Sequence, residues 1–101
     1  MKFISDIKEF SENSNNPNLN TMINFPIENK SVILRFLKSF EPVAIMAHGV
    51  MDYVKNTPNN SESMVLFNSD EWFWTNEMIY HFDKYDLKLN NDFIEYVLKR
   101  S

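Results

Sequence analysis

One short segment, residues 71–74, sets the tightest limit on how this chain can fold. It places two tryptophans on either side of Phe73, and successive side chains of an extended strand point to opposite faces of a sheet. Trp72 and Trp74 would therefore share one face, and Phe73 would lie on the other. Because aromatic side chains gain so much from burial, the segment predicts a strand that is covered on both faces.

This strand is the second arm of a predicted hairpin. Residues 64–67 form an apolar run, and the polar residues 68–70 that follow are typical of a tight turn. A third apolar run, 43–47, is interpreted as a buried strand. Gly49 is the only glycine in the chain, and we expect a turn or bulge there because glycine adopts backbone conformations that other residues resist.

Apolar residues three and four positions apart predict helices in the rest of the chain. The predicted helices cover residues 3–12, 32–40, 78–85 and 93–98. Residues 11–20 are predicted to form an exposed loop and residues 56–63 a turn cluster, whereas residues 51–54 fit either a strand or a helical turn. The expected fold is α+β: one domain over residues 1–101, with a small antiparallel sheet of about three strands packed against about four helices.

Most catalytic chemistries lack a signature in this sequence. Without cysteine there are no disulfides, thiol nucleophiles or cysteine-based zinc sites, and a single glycine cannot build a glycine-rich phosphate loop. The two histidines could serve acid–base chemistry, since His48 precedes Asp52 by four residues and His81 precedes Asp83 by two. Neither spacing is diagnostic of a catalytic or metal site, so we predict no catalytic residues, metal or cofactor. An enzyme that uses His48 or His81 is our third hypothesis for the function, after the two binding functions described below.

Charge and hydropathy restrict the partner and the compartment. The net charge of −4 and the pI of about 5.0 argue against nonspecific nucleic-acid binding, which needs a basic surface. They are compatible with a basic protein partner, although mild acidity also serves simply to keep a protein soluble. No apolar run reaches membrane-spanning length and the N-terminus does not resemble a signal peptide, so we expect a cytoplasmic protein without membrane contact.

Acidic residues cluster in the sequence around the predicted hairpin and the following helix. The cluster comprises Asp70, Glu71, Glu77, Asp83 and Asp86. These side chains could form a negative patch that contacts a basic partner, or an ordinary solvated face. The aromatic residues of the same region are interpreted as core rather than as a ligand cage.

A longer pattern runs through the second half of the chain. It consists of Asn-Ser-Asp-Glu-Trp-Phe-Trp at 68–74, Ile-Tyr-His-Phe at 79–82, Lys-Tyr-Asp-Leu-Lys-Leu at 84–89 and Phe-Ile-Glu-Tyr-Val at 93–97. Together with the helix before Pro42, this pattern resembles a group of small bacterial proteins over roughly residues 32–98. Their consensus reads Asp-Gly-x-Trp-x-Trp, then a helical Tyr-Tyr pair, a basic residue with Tyr, Leu-Pro, and a Phe in the last helix.

The chain departs from that consensus at three positions. Glu71 stands where the family has glycine, His81 where it has the second tyrosine, and Asn90 where it has proline. The loss of glycine predicts a different turn type, or a bulge, at the hairpin.

Proteins with this pattern resemble immunity proteins encoded beside polymorphic or contact-dependent toxins. The resemblance implies that the chain binds and neutralises one cognate toxin. Many such toxins are nucleases with basic clefts, which an acidic protein would suit. The alternative hypothesis is an adaptor or scaffold subunit, and the sequence leaves open whether the protein is a monomer or a homodimer.

Overall fold

One sheet and three α-helices make up the part of the chain that the computed structural model describes, residues 2–10 and 14–100, with the side chains of 59–61 left out. The elements are β1 (Lys2–Phe3), α1 (Lys30–Leu37), β2 (Ala44–Asp52), β3 (Thr57–Ser69), β4 (Trp72–Thr75), α2 (Asn76–Tyr85) and α3 (Asn91–Leu98), with a single 3-10 turn at Leu19–Thr21. The α+β prediction is therefore confirmed. Within these residues, no helix has both the length and the apolar content needed to cross a membrane.

The sheet has four strands in the order β1-β4-β3-β2. β1 runs parallel to β4, whereas β3 is antiparallel to both β4 and β2. The sheet is thus mixed, and the prediction of about three antiparallel strands was too simple. The additional strand is β1, which places the Phe3 ring 3.9 Å from the Phe73 ring, measured between centroids.

The predicted helix over residues 3–12 is wrong where the structure describes it, and residues 11 and 12 lie outside the described part. After β1, residues 4–10 form bends and turns. Ile4 and Ile7 are fully buried, so the apolar spacing is real. Backbone hydrogen bonds here run to distant residues, because Ile4 accepts from Asn90 and Lys8 donates to Pro17. The backbone of this segment therefore forms hydrogen bonds with residues that are distant in the sequence, and it does not form a helix.

The predicted loop at 11–20 is described from residue 14 onward. The 3-10 turn begins at its end, and Leu19 is fully buried. Leu19 therefore belongs to the core although the surrounding composition is polar.

The three other predicted helices correspond to α1, α2 and α3. Thr75 caps α2, since its hydroxyl accepts a hydrogen bond from the Met78 N–H at 3.2 Å. Asp86 ends α2 in a left-handed conformation with φ of 53°. Aspartate tolerates this conformation better than most residues do.

The hairpin of β3 and β4 is confirmed. Ser69 pairs with Trp72, so the turn consists of Asp70 and Glu71 alone. Asp70 has a φ of 53°, and this left-handed conformation, which aspartate tolerates, allows the tight turn.

The other hairpin, β2–β3, is longer than predicted. The turn cluster predicted over 56–63 is wrong, because β3 begins at Thr57 and Pro58 pairs with Met51 inside the ladder. The pairing register shifts on both sides of Gly49, which confirms the expected bulge. Gly49 has no positive φ, so an unusual backbone conformation is not the reason for a glycine here. The position is instead crowded, because a Cβ there would lie 3.2 Å from the Glu62 carbonyl oxygen.

The tryptophan face of β4 is covered, but the prediction that both faces are covered is wrong for the other face, where Phe73 is only half-buried. On one face Trp74 is fully buried, and its ring centroid lies 6.0 Å from that of Phe93 in α3. Its indole N–H donates to the Leu37 carbonyl at the end of α1, with 3.4 Å between the nitrogen and the oxygen. On the other face Phe73 packs against Phe3.

Candidate functional site

The first two acids of the predicted patch lie in the turn of the β3–β4 hairpin. Asp70 is exposed, accepts a hydrogen bond from the Tyr96 hydroxyl, and has Arg100 Nη2 3.2 Å from its Oδ2. Glu71 is also exposed, and its Oε1 lies 4.0 Å from Lys2 Nζ. Each acid therefore has a basic partner on the protein itself.

Two more acids lie at the end of α2. Asp86 Oδ1 is 2.7 Å from Lys30 Nζ, and this ammonium also donates to the Asp83 carbonyl. The Asp83 carboxylate is 3.9 Å from Lys38 Nζ. Exposed pairs of this kind contribute little stability, but they balance the local charge.

Glu77, the fifth acid, is only 3% exposed. A carboxylate buried to this degree cannot belong to an exposed patch. The structure therefore divides the predicted patch into two charge-paired sites, in one of which Asp86 is half-buried, and one buried carboxylate.

Among the described large hydrophobic side chains, the two most exposed lie in β2 and directly before it. The strand order places β2 at the edge of the sheet, where Ile45 is 77% exposed and Val43 58%. The prediction that residues 43–47 form a buried strand is therefore wrong in its burial, because α1 and α3 cover β4 and do not reach this edge. Residues 43–51 contain no Asp, Glu, Lys, Arg or Pro. Natural edge strands usually carry such residues because they prevent pairing with other chains.

A groove of about 400 Å³ lies on the opposite face of the sheet. Apolar side chains from several segments line it, among them Phe10, Met46, Met64, Leu66 and Phe73. Side chains alternate along β2, so Met46 faces the groove whereas its neighbour Ile45 faces the other side. The edge strand therefore borders two different binding surfaces.

One end of the groove is built by α2 in an unusual way. Glu77 Oε2 accepts a hydrogen bond from the Met51 N–H at 2.9 Å, and His81 Nε2 accepts one from the Tyr53 N–H at 3.0 Å. Four residues of helix rise about 6 Å and two residues of strand about 6.6 Å, so the two spacings match. One face of α2 thus takes the place of a paired strand, just where the bulge at Gly49 disturbs the ladder.

These bonds fix the state of His81. Nε2 accepts, so the proton resides on Nδ1, which donates to the Glu77 carbonyl at 2.8 Å. Burial lowers the pKa of His81 from 6.5, although this carbonyl and the nearby acids oppose the shift. Both ring nitrogens are engaged with the backbone, so neither is open to a substrate.

The surroundings of Glu77 raise the pKa of its carboxyl group. Burial raises the pKa of Glu77 above 4.5, against the hydrogen bonds from Met51 and Tyr53 and the nearby His48. Burial and the charge of Glu77 raise the pKa of Tyr53 to about 12.

A second buried acid, Asp52, organises the turn after β2. Its Oδ1 accepts from the N–H groups of Val54 and Lys55, each at 2.9 Å. Its Oδ2 accepts from the hydroxyls of Tyr80 and Tyr85, each at 2.6 Å. Burial opposes ionisation, but these four hydrogen bonds outweigh it and hold the pKa of Asp52 well below its usual range.

The two histidines do not form a shared centre with a metal-binding geometry. His48 is exposed and lines the groove, while His81 is buried behind Tyr53. Within residues 2–10 and 14–100, no three His, Asp or Glu side chains are placed to hold a metal ion.

The chain matches no family model, no curated protein and no solved structure. Its function must therefore be argued from its own geometry and from the motif resemblance.

Sequence reasoning missed the residues that shape both binding surfaces. The burial of Glu77 had a visible signal, because Glu77 and His81 lie four residues apart on the helical face that also carries Met78. The exposure of Ile45 had none, because an apolar run looks the same at the centre and at the edge of a sheet.

Proposed function

We propose that this chain is a protein-binding domain that neutralises a cognate toxin, with the edge strand β2 in the interface. The observation that carries the proposal is the exposure of Ile45 on the edge strand β2 and of Val43 directly before it, within residues 43–51, which contain no Asp, Glu, Lys or Arg. Such an edge offers unpaired backbone groups and an apolar surface, which another protein chain can cover. The identity of the partner as a toxin rests on the motif resemblance.

The mechanism would be occlusion. A segment of the toxin docks along β2, and the bound domain blocks the toxin's active site or a neighbouring surface. Backbone hydrogen bonds and contacts with Ile45 would supply most of the affinity. The paired acids, among them Asp83 and Asp86, have a smaller role than a free acidic patch would have, and the net charge of −4 favours the approach of a basic toxin.

The test is a tagged pull-down from the native host, followed by expression of the recovered protein. We expect one basic protein in equal amount, toxic when expressed alone and harmless when co-expressed with this chain. Ile45→Lys should abolish both recovery and protection. Phe25→Lys is the matched control, because Phe25 is 42% exposed and lies outside the sheet. Full protection by the Ile45 variant would contradict the proposed surface.

A homodimeric adaptor is the second candidate function. The same uncharged edge can pair with β2 of a second copy, which would cover Val43 and Ile45 in both chains. Light scattering during gel filtration separates the two functions. A dimer that Ile45→Lys converts to a monomer favours the adaptor, whereas a monomer favours the toxin-binding domain.

A further inference from the structure

The groove beside β2 combines apolar walls with a carboxylate. Phe10, Tyr53 and Phe73 contribute aromatic rings, and Glu77 lies at one end. Aromatic faces attract cations, and the attraction grows where water is excluded. A lining of this kind suits an apolar stem that ends in a positive charge.

Glu77 has no cation of its own. None of the ion pairs among residues 2–10 and 14–100 involves it, although it is only 3% exposed. A buried carboxylate without a counter-charge is costly, and a ligand cation would remove that cost. Glu9 also lines the groove and adds a second negative charge.

Two nearby groups work against a cation. Lys8 is exposed and lines the groove, so its positive charge repels an incoming cation. His48, also at the groove, would repel one only when protonated. The lining thus contains two acidic side chains, one lysine and one histidine.

The groove is within reach of a segment bound at the edge of the sheet. Met46 and His48 of β2 line it, and a strand added beside β2 would direct alternate side chains to the same face. We infer that the groove receives one lysine or arginine side chain of the bound partner protein, with the Glu77 carboxylate as its counter-charge. This inference rests on the proposed function.

The first test uses n-pentylammonium as the probe, which has the charge of a lysine side chain and a carbon chain that is longer by one atom, in the position of Cα. It is titrated into isotope-labelled protein and followed by heteronuclear NMR. We expect saturable shifts of the amides of Phe73, Thr75 and Met78, with a dissociation constant on the order of 1 mM. The uncharged n-pentanol should bind about tenfold more weakly.

Two variants with opposite expected effects identify the cause. Glu77→Gln should weaken n-pentylammonium binding about tenfold, and its amide oxygen can still accept from Met51. Lys8→Met at the exposed rim of the groove should strengthen n-pentylammonium binding. This variant gives an independent result even if the Glu77 variant does not fold. Equal affinity for n-pentanol, or binding unaffected by both substitutions, would overturn the inference.

The partner recovered in the pull-down provides the second test. Glu77→Gln should weaken its binding about tenfold, and unchanged affinity would also overturn the inference. Ile45→Lys should disrupt partner binding without altering the n-pentylammonium titration. Failure of the groove can thus be distinguished from failure of the edge-strand interface.

Discussion

Glu77 and His81 should make the stability of this protein depend on pH with opposite signs. The folded state lowers the pKa of His81 from 6.5, so below that pH the unfolded state binds more protons and acidification destabilises the fold. The folded state raises the pKa of Glu77 above 4.5, so above that pH the folded state binds more protons and acidification stabilises the fold. As the pH falls, the two groups therefore change the free energy of unfolding in opposite directions.

Removing one of the two titrating groups should reveal how the other makes the free energy of unfolding depend on pH. Glu77→Gln keeps an acceptor for the Met51 N–H but does not titrate. Its free energy of unfolding should fall by up to about 1.4 kcal/mol for each pH unit below 6.5, the limit for one proton. His81→Gln keeps an acceptor for the Tyr53 N–H, and its stability should instead rise on acidification, until the pH approaches 4.5.

Urea unfolding followed by tryptophan fluorescence is a suitable assay, because Trp72 and Trp74 are buried. With a denaturant dependence of about 1–3 kcal/mol per molar urea, a change of 1.4 kcal/mol shifts the midpoint by about 0.5–1.4 M. A Glu77→Gln midpoint that stays constant or rises on acidification would refute the proposed state of His81.

Three further predictions concern single positions. Asp52→Ala should lower the free energy of unfolding by about 3–5 kcal/mol in urea titrations, because four donors lose a buried carboxylate, and Tyr80→Phe should cost much less. Gly49→Ala should cost about 1 kcal/mol in the same assay, since its Cβ would lie 3.2 Å from the Glu62 carbonyl oxygen. Asp83→Lys should leave stability within about 0.5 kcal/mol and slow association with a basic partner in stopped-flow measurements. An unchanged on-rate would exclude a steering role for that acid.

Elements with a strong local signal could be predicted from the sequence. The apolar spacing of α1, α2 and α3 is a local feature, and the structure has all three helices. The β3–β4 hairpin is local as well, since polar turn residues separate two apolar runs. The tryptophan spacing gave the correct assignment of faces because alternation along a strand does not depend on distant contacts.

The wrong predictions concern segments whose structure depends on residues that are distant in the sequence. β1 is two residues long and pairs with Trp72 and Phe73, so nothing near Lys2 in the sequence marks it as a strand. The adjacent Ile4 and Ile7 have helical spacing, but the backbone of Ile4 is held by Asn90. The exposure of β2 depends on which strands the helices cover. That is determined by the tertiary packing of helices on the sheet, which the local sequence of β2 does not reveal.

The contacts between α2 and the end of β2 also determine how that region should open. The amide protons of Met51 and Tyr53 are held by side chains of α2, Glu77 and His81, and not by a neighbouring strand. In native-state hydrogen exchange they should therefore exchange together with the amides of α2, as one cooperative unit separate from the start of β2. The end of β2 would then be less protected than its start, because each opening of α2 removes two of its hydrogen bonds while its pairing with β3 remains.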